Sequence, residues 1–355
     1  MRPLKALINI DNARQNLKQV KLLAQSSKIM ATLKANAYGH GMSYMATAFS
    51  DADAFSVLTI EDAIELRESG FDKKILLLEG VFDPEDLNIA SSFGFDVVVH
   101  SEYQLTLLRQ LHNEKKIDIH LKINTGMNRL GFPVEKIPKV YEQLKSDKRI
   151  ANIVFMSHFA NADRDNGTSE QFAVLENIMN DYNEPFSLAN SAAIIKNKSS
   201  HTDWVRPGII LYGASPLEDP IENLKPVMTL RSEIIAIQEI NQGDSVGYGG
   251  EFKAERKMRI GIVACGYADG YPRHAPTGTP VIVDNIETRT LGRVSMDMLA
   301  VDLTDIPRAN FGSVVELWGE NLSVDRVAKH ASTVGYQLLC AISSASRVPL
   351  DIYYG

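Results

Sequence analysis

Residues able to do covalent or acid–base chemistry recur in this chain at one kind of place, directly after a short apolar run. Lys34 closes the run KIMATLK and passes into the Gly- and Asn-rich stretch ANAYGHG. Lys122 and Arg129 lie in LKINTGMNRLG with Asn124 and Thr125 between them, and His158 follows IVFMS. Asn190 and Ser191 follow FSLA, and Arg206 and Gly208 lie within WVRPGIILYG. A lysine at the end of a buried strand is unusual, and partial desolvation makes such an amine a nucleophile able to condense with a carbonyl. The plainer alternative is a stem that reaches back to solvent. The Ser191 hydroxyl and the amides around Gly208 and Ile209 could cradle a phosphate, or could be no more than a helix cap and a turn.

The elements that must position these groups are repetitive. Short apolar runs at 28–34, 54–58, 74–79, 95–99, 117–123, 151–157, 186–190 and 204–212 alternate with segments of helical length. TIEDAIELRESG opens on a Thr cap and stops at Gly, FDPEDLNIASSFG has an acidic first turn and a Gly ending, and SEYQLTLLRQLH begins on the N-cap Ser101. A helix over 12–25 is expected to be capped by Asp11. Strands buried on both faces read as continuous apolar runs, and eight successive βα units close most naturally into an α/β TIM-type (β/α)8 barrel, with an open doubly wound sheet as the alternative. Catalytic groups of such a barrel gather at the C-terminal ends of its strands, where a phosphate site between strands seven and eight is common. A phosphate cradle, an imine-forming lysine and an arginine on a neighbouring strand are together what pyridoxal phosphate requires.

From about residue 225 the pattern changes to short strand-like runs with turns between them, TLRSEIIAIQEI, KMRIGIVACGY, TPVIVD, TRTLGRV, LAVDL and SVVELWG, with a helix expected only over SVDRVAKHAS. The expected division is a barrel domain over 10–230 and a mostly β domain over 231–355. At 355 residues two domains are the default, and apolar and charged contents of 45% and 23% are those of an ordinary globular chain. A net charge of −7 argues against nucleic acid or an anionic membrane as the main partner, leaving small molecules. Cys265 and Cys340 are the only cysteines and show no metal-ligand spacing, so no metal is expected and a reducing, cytoplasmic compartment is. No run approaches bilayer-spanning length.

Taken together, KANAYGHG, LKINTGMNRLGF, SHF, ANSAA, VRPGIILYG, GYADGYPR, GRVSMDM and RVP, in this order and spacing, resemble alanine racemase, a fold-type III pyridoxal-phosphate enzyme, over essentially the whole chain. The resemblance implies that Lys34 anchors the cofactor, that Tyr38, Ser191, Gly208, Ile209 and Tyr336 hold its phosphate, and that Arg206 faces the pyridine nitrogen. It implies that strand 1–9 joins the C-terminal domain. It further implies a homodimer with shared active sites, in which Lys34 serves one face of the amino-acid Cα and Tyr267 of the other subunit serves the opposite face. A free tyrosine ionises near pH 10, so Tyr267 needs positive charge or hydrogen bonds nearby, with His158 and Arg206 as candidates. Arg129 and the backbone near Met296 of the other subunit are implied to receive the substrate carboxylate, and Lys122 is implied to be carbamylated, which would remove its repulsion of Arg129. Asn124, Asn128 and Gln337 depart from the usual family residues Asp, Gly and Glu. The activity so implied is racemisation of alanine, with D-alanine destined for peptidoglycan or with a catabolic role. A broader or serine-preferring racemase shares every motif, whereas a fold-type III decarboxylase or a non-catalytic cofactor carrier fits GYADGYP less well.

Overall fold

In the computed structural model, which describes residues 2–112, 115–219, 221, 223–345 and 347–355, the apolar runs between residues 28 and 205 become parallel strands. Lys28–Thr32, Ala54–Val57, Lys74–Leu77, Asp96–Val99, Ile117–Asn124, Ile150–Met156, Phe186–Ser187 and Trp204–Val205 pair in that order. The last returns to the first, Trp204 opposite Lys28 and Val205 opposite Ile29, so the sheet closes into a (β/α)8 barrel and the open-sheet alternative falls away.

Side chains alternate across each strand, so every second residue points inward. Met30, Ala54, Leu76, Val98, Met156 and Trp204 pack as one buried apolar layer inside the barrel. Two residues toward the strand starts lies a polar floor in which Lys74 donates to Asp96 at 3.1 Å and to Asp118, and His120, level with Val98 in the layer above, brings its Nε2 to 3.4 Å from Asp96. Two residues toward the strand ends, Thr32, Leu78, His100 and Lys122 face a cavity. The apolar layer thus isolates the chemistry at the top of the barrel from the ion pairs at its bottom.

Helix starts follow local chemistry. Thr59, Asp83 and Ser101 each accept the N–H three residues on. The first helix spans Ile10–Leu23 rather than 12–25, because Asn9 takes the cap expected of Asp11, accepting from Asn12 N–H at 3.0 Å. Asp11 falls in the first turn, where its charge complements the helix dipole. The eighth strand ends at Val205, well short of 212: Pro207 has no N–H to give a ladder, and Ile209–Tyr212 coils into a 3₁₀ turn.

The C-terminal part is a closed antiparallel barrel. Met228–Ile240 pairs with Met258–Val263 along one stretch and with Val314–Trp318 along another, and Leu299–Asp302, Ile286–Leu291 and Pro280–Val283 complete the circuit. Register slips between Ile234 and Ala236 bend the long strand enough to serve both neighbours. Lys5–Asn9 adds to this sheet, with Ala6 opposite Leu230 antiparallel and opposite Leu350 parallel. Two helices follow, Val324–His330 and Gly335–Ser344. The second is additional to the sequence reading; it lacks a capping side chain, so its start carries no local signal.

Candidate active site

A cavity of about 650 Å³ opens at the C-terminal ends of the barrel strands. Lys34, Tyr38, Lys122, Arg129 and His158 line it, as do Ser191, Arg206, Gly208, Ile209 and Tyr336. The structure therefore gathers residues spread from position 34 to 336. Tyr267 and Met296 lie elsewhere, on loops of the β domain, and are 38% and 52% exposed.

Lys34 does not end a strand, because the strand stops at Thr32. It opens a short turn in which Ala35, Asn36, Ala37 and Tyr38 all have φ between 51° and 56°, a left-handed helical run. Left-handed conformation costs roughly 1–2 kcal/mol per L-residue other than glycine, so the surroundings must impose it. His40 does so from one side: its buried Nδ1–H is shared between the Ala37 and Tyr38 carbonyls at 3.0 and 2.9 Å. Burial pushes its pKa down to about 4, keeping the ring neutral and its tautomer fixed by those bonds. The helix Gly335–Ser344 does so from the other, with the Leu339 carbonyl so close to Gly39 that a Cβ there would lie 2.2 Å away. The turn swings Tyr38 beneath the cavity, its ring 4.7 Å from Tyr212 and 6.1 Å from Tyr336.

The candidate phosphate cradle is tightly built. Gly208 N–H donates to Ser191 Oγ at 2.9 Å, which leaves the serine O–H free to donate into the cavity. A Cβ on Gly208 would meet Tyr38 Oη at 2.5 Å, so only glycine lets the phenol come this near. Burial raises the pKa values of Tyr38 and Tyr336 well above 10, so both remain O–H donors, and neither hydroxyl has a protein partner among the described residues. A group with several acceptor oxygens and negative charge satisfies this donor set.

Arg206 is buried and without a carboxylate partner. Nη1 donates to Ser187 O and Oγ at 2.5 and 2.7 Å, and Nη2 to Ser157 O at 2.7 Å and Leu188 O at 3.3 Å. Four of its donors are thus spent on the barrel rim, and Nε–H is left for a neutral acceptor in the cavity. Burial holds its pKa down to about 10, so it stays charged near neutrality.

That charge organises its neighbours. Lys122, 6% exposed, has its pKa lowered to about 7 by burial first and then by Arg206, Arg129 and Lys34. Lys34 is lowered by burial and then Arg129, with Glu79 opposing. His158 is driven well below its ordinary value by burial first and then by Arg206, which disfavours its charged form; its Nε2 stands 3.5 Å from Asn190 Nδ2. Arg129 rides on a loop that Asn124 ties down by accepting from the Gly126 and Asn128 N–H groups at 3.1 and 3.0 Å. Asn128 has φ 55°, which accounts for asparagine replacing glycine there.

Sequence reading passed over Glu79 and His100, which follow the third and fourth barrel strands and also line the cavity. Gln104 joins those strand ends, accepting from His100 N–H and donating to the Glu79 carbonyl, both at 2.9 Å. Their strand-end position was the available signal. His40 offered none, since its partners are carbonyls of a turn whose handedness no motif announces. Cys265 is fully buried with its thiol pKa raised by burial, an inert packing group, and it does not share a face with exposed Tyr267 because the strand stops at Val263.

Residues 8–216 match the family description "Alanine racemase, N-terminal domain" and residues 227–351 "Alanine racemase, C-terminal domain". The catabolic alanine racemase of Klebsiella aerogenes is 49% identical over 98% of this chain and 99% of its own length. The alanine racemase of Nitrosomonas eutropha is 50% identical over 98% of both. The biosynthetic alanine racemase of Pseudomonas aeruginosa superposes over 100% of both chains with TM-score 0.96 and 41% identity. The alanine racemase of Bartonella henselae, solved with covalently bound pyridoxal phosphate, superposes over 99% of this chain and 100% of its own, with TM-score 0.88 and 26% identity. With both halves matched in order and relatives aligned from end to end, the chain belongs to the alanine racemase family.

Proposed function

We propose that this chain interconverts L- and D-alanine with pyridoxal phosphate in the barrel cavity, using two bases supplied by the two subunits of a homodimer. The observation that carries the reading is the pairing of Lys34, on its forced turn, with the donor cradle of Tyr38, Ser191, Gly208, Ile209 and Tyr336. Phenol and serine hydroxyl donors and the Ile209 N–H suit a phosphate, with Gly208, whose own N–H goes to Ser191 Oγ, making room for the Tyr38 phenol, and Lys34 suits an aldehyde carbon. When bound, pyridoxal phosphate makes the substrate Cα–H acidic by delocalising the electron pair left behind.

The chain's own groups then divide the work. The Lys34 amine, kept reactive by partial burial, takes or returns the proton on one face of Cα. The Tyr267 phenol, from the second subunit, does the same on the other face, so inversion needs no base to cross the substrate. Arg129 and the Met296 backbone of that second subunit receive the substrate carboxylate. Arg206 donates Nε–H to the cofactor's ring nitrogen, and as a cation it disfavours protonation there. Lys122, with an amine neutral in part near pH 7, takes up carbon dioxide as a carbamate whose negative charge holds Arg129. The functional division follows 10–230 for the cofactor barrel and 231–355, with strand 1–9, for the half that supplies Tyr267.

A cytoplasmic role in providing D-alanine for peptidoglycan follows from this activity; the catabolic naming of the Klebsiella relative favours alanine breakdown as the second reading. The decisive assay is D-alanine production from L-alanine by the wild type, K34A and Y267F. Both variants should lose racemisation, and activity persisting in K34A would overturn the proposal.

A further inference from the structure

Tyr267 and Met296 sit on two loops of the β domain that are tied to each other twice. The backbone makes the first tie: Tyr267 N–H donates to Ser295 O and Ala268 N–H to Met296 O, both at 3.0 Å. The loops approach so closely that a Cβ on Gly266 would lie 2.3 Å from the Met296 oxygen. Paired charges make the second tie. Asp269 is fully buried; one carboxylate oxygen accepts Gly266 N–H at 2.9 Å, and the other accepts Arg2 Nη1 at 2.5 Å with Arg347 Nε at 3.5 Å. The same two arginines reach across to the second loop, where Arg2 Nη2 donates to the Asp297 carbonyl and Arg347 Nη2 to the Asp297 carboxylate at 2.6 Å.

A buried carboxylate is tolerated only where its oxygens are paired and hydrogen-bonded, and such pairs fix geometry more than they add stability. Asp269 lies two residues after Tyr267, and Asp297 one residue after Met296. Met296 N–H has no partner among the described residues and is left to meet an anion.

We infer that Arg2, Asp269, Arg347 and Asp297 form a clamp of positioning residues that holds the Tyr267 phenol and the Met296 amide as one unit for delivery to the cavity of a second copy of this chain. The inference rests on the proposed role of Tyr267 as second base. Breaking the clamp blurs one base and leaves Lys34 in place, so the defect is one-sided. A misplacement on the scale of 1 Å costs on the order of 10²-fold in rate.

The test compares wild type, Y267F, D269N, R2A and R347A as holoenzymes in deuterium oxide, following racemisation by chiral chromatography and α-proton exchange of each enantiomer by NMR. D269N should racemise about 10²-fold more slowly, while exchange without inversion persists for the enantiomer whose α-proton faces Lys34. R2A and R347A should show the same one-sided loss in weaker form, and combining either with D269N should add little because they share one carboxylate. Amide hydrogen exchange should quicken at Tyr267 and Ala268 and stay unchanged around Lys34. Should Y267F racemise normally, the second-base reading falls and the clamp with it. Should Y267F fail while D269N and R347A racemise and exchange like wild type, or lose exchange of both enantiomers equally, the clamp alone is overturned. If D269N does not fold, R2A and R347A decide.

Discussion

Lys122 shows how a fixed cation tunes the groups around it. Burial is the larger influence on Lys122, and the charge of Arg206, which that residue cannot give up, adds to it, so that the lysine pKa is lowered to about 7. Only a neutral amine attacks carbon dioxide, so carbamate content should climb as pH rises through that value. Carbon-13 NMR in labelled bicarbonate should show a carbamate carbon in the wild type that is absent from K122M; an unmodified lysine at pH 8 would remove the proposed counter-charge for Arg129. The sign of the accompanying stability change follows from linkage. With a native pKa near 7 and a reference value of 10.5, the unfolded chain binds more protons between these limits, so this lysine makes the native state more stable as pH rises across that window.

The turn that carries Lys34 illustrates strain held by neighbouring elements. Three of its four left-handed residues are Ala35, Ala37 and Tyr38, none of which favours that region. Replacing exposed Ala35 by glycine should remove about 1–2 kcal/mol of strain while adding about 0.4–1 kcal/mol of unfolded-chain entropy. The net expectation is a gain of up to about 1.6 kcal/mol in urea unfolding, with a lower kcat because Lys34 is held less firmly. A destabilised A35G would mean that the turn is not strained. KANAYGHG announced a turn through its glycines and asparagine, but its handedness is imposed by His40 and by the Gly335–Ser344 helix, the first six residues beyond Lys34 and the second three hundred.

At the scale of the whole molecule, the cavity holds one proposed base and the surface of the β domain carries the other. In a two-fold dimer with shared sites, K34A and Y267F subunits each damage a different half-site. A heterodimer then has one site lacking both bases and one site intact. Unfolding and refolding an equal mixture should restore about one quarter of wild-type activity, from half the dimers each with one good site. No recovery, with heterodimers demonstrated by tagged capture, would exclude sharing of Tyr267 between subunits.

Sequence by itself determined eight βα units and so made a barrel the expected fold, with closure decided by the pairing of the last strand to the first, and barrel geometry then points to strand ends as the place for chemistry. That is why Lys34, Lys122, Arg129, His158, Ser191 and Arg206 were legible before any coordinates. It also anticipated a β-rich second half from short runs and turns, although not the uncapped helix that buttresses Lys34. Tertiary structure alone decided what depends on residues distant in sequence: the left-handed turn, the lowered proton affinities of His158 and Lys122 and the two-loop setting of Tyr267. Strand and helix patterns are local and periodic, so they are written in short windows of sequence. Backbone strain and proton affinity instead depend on burial and on charges brought together from remote segments, which no short window contains.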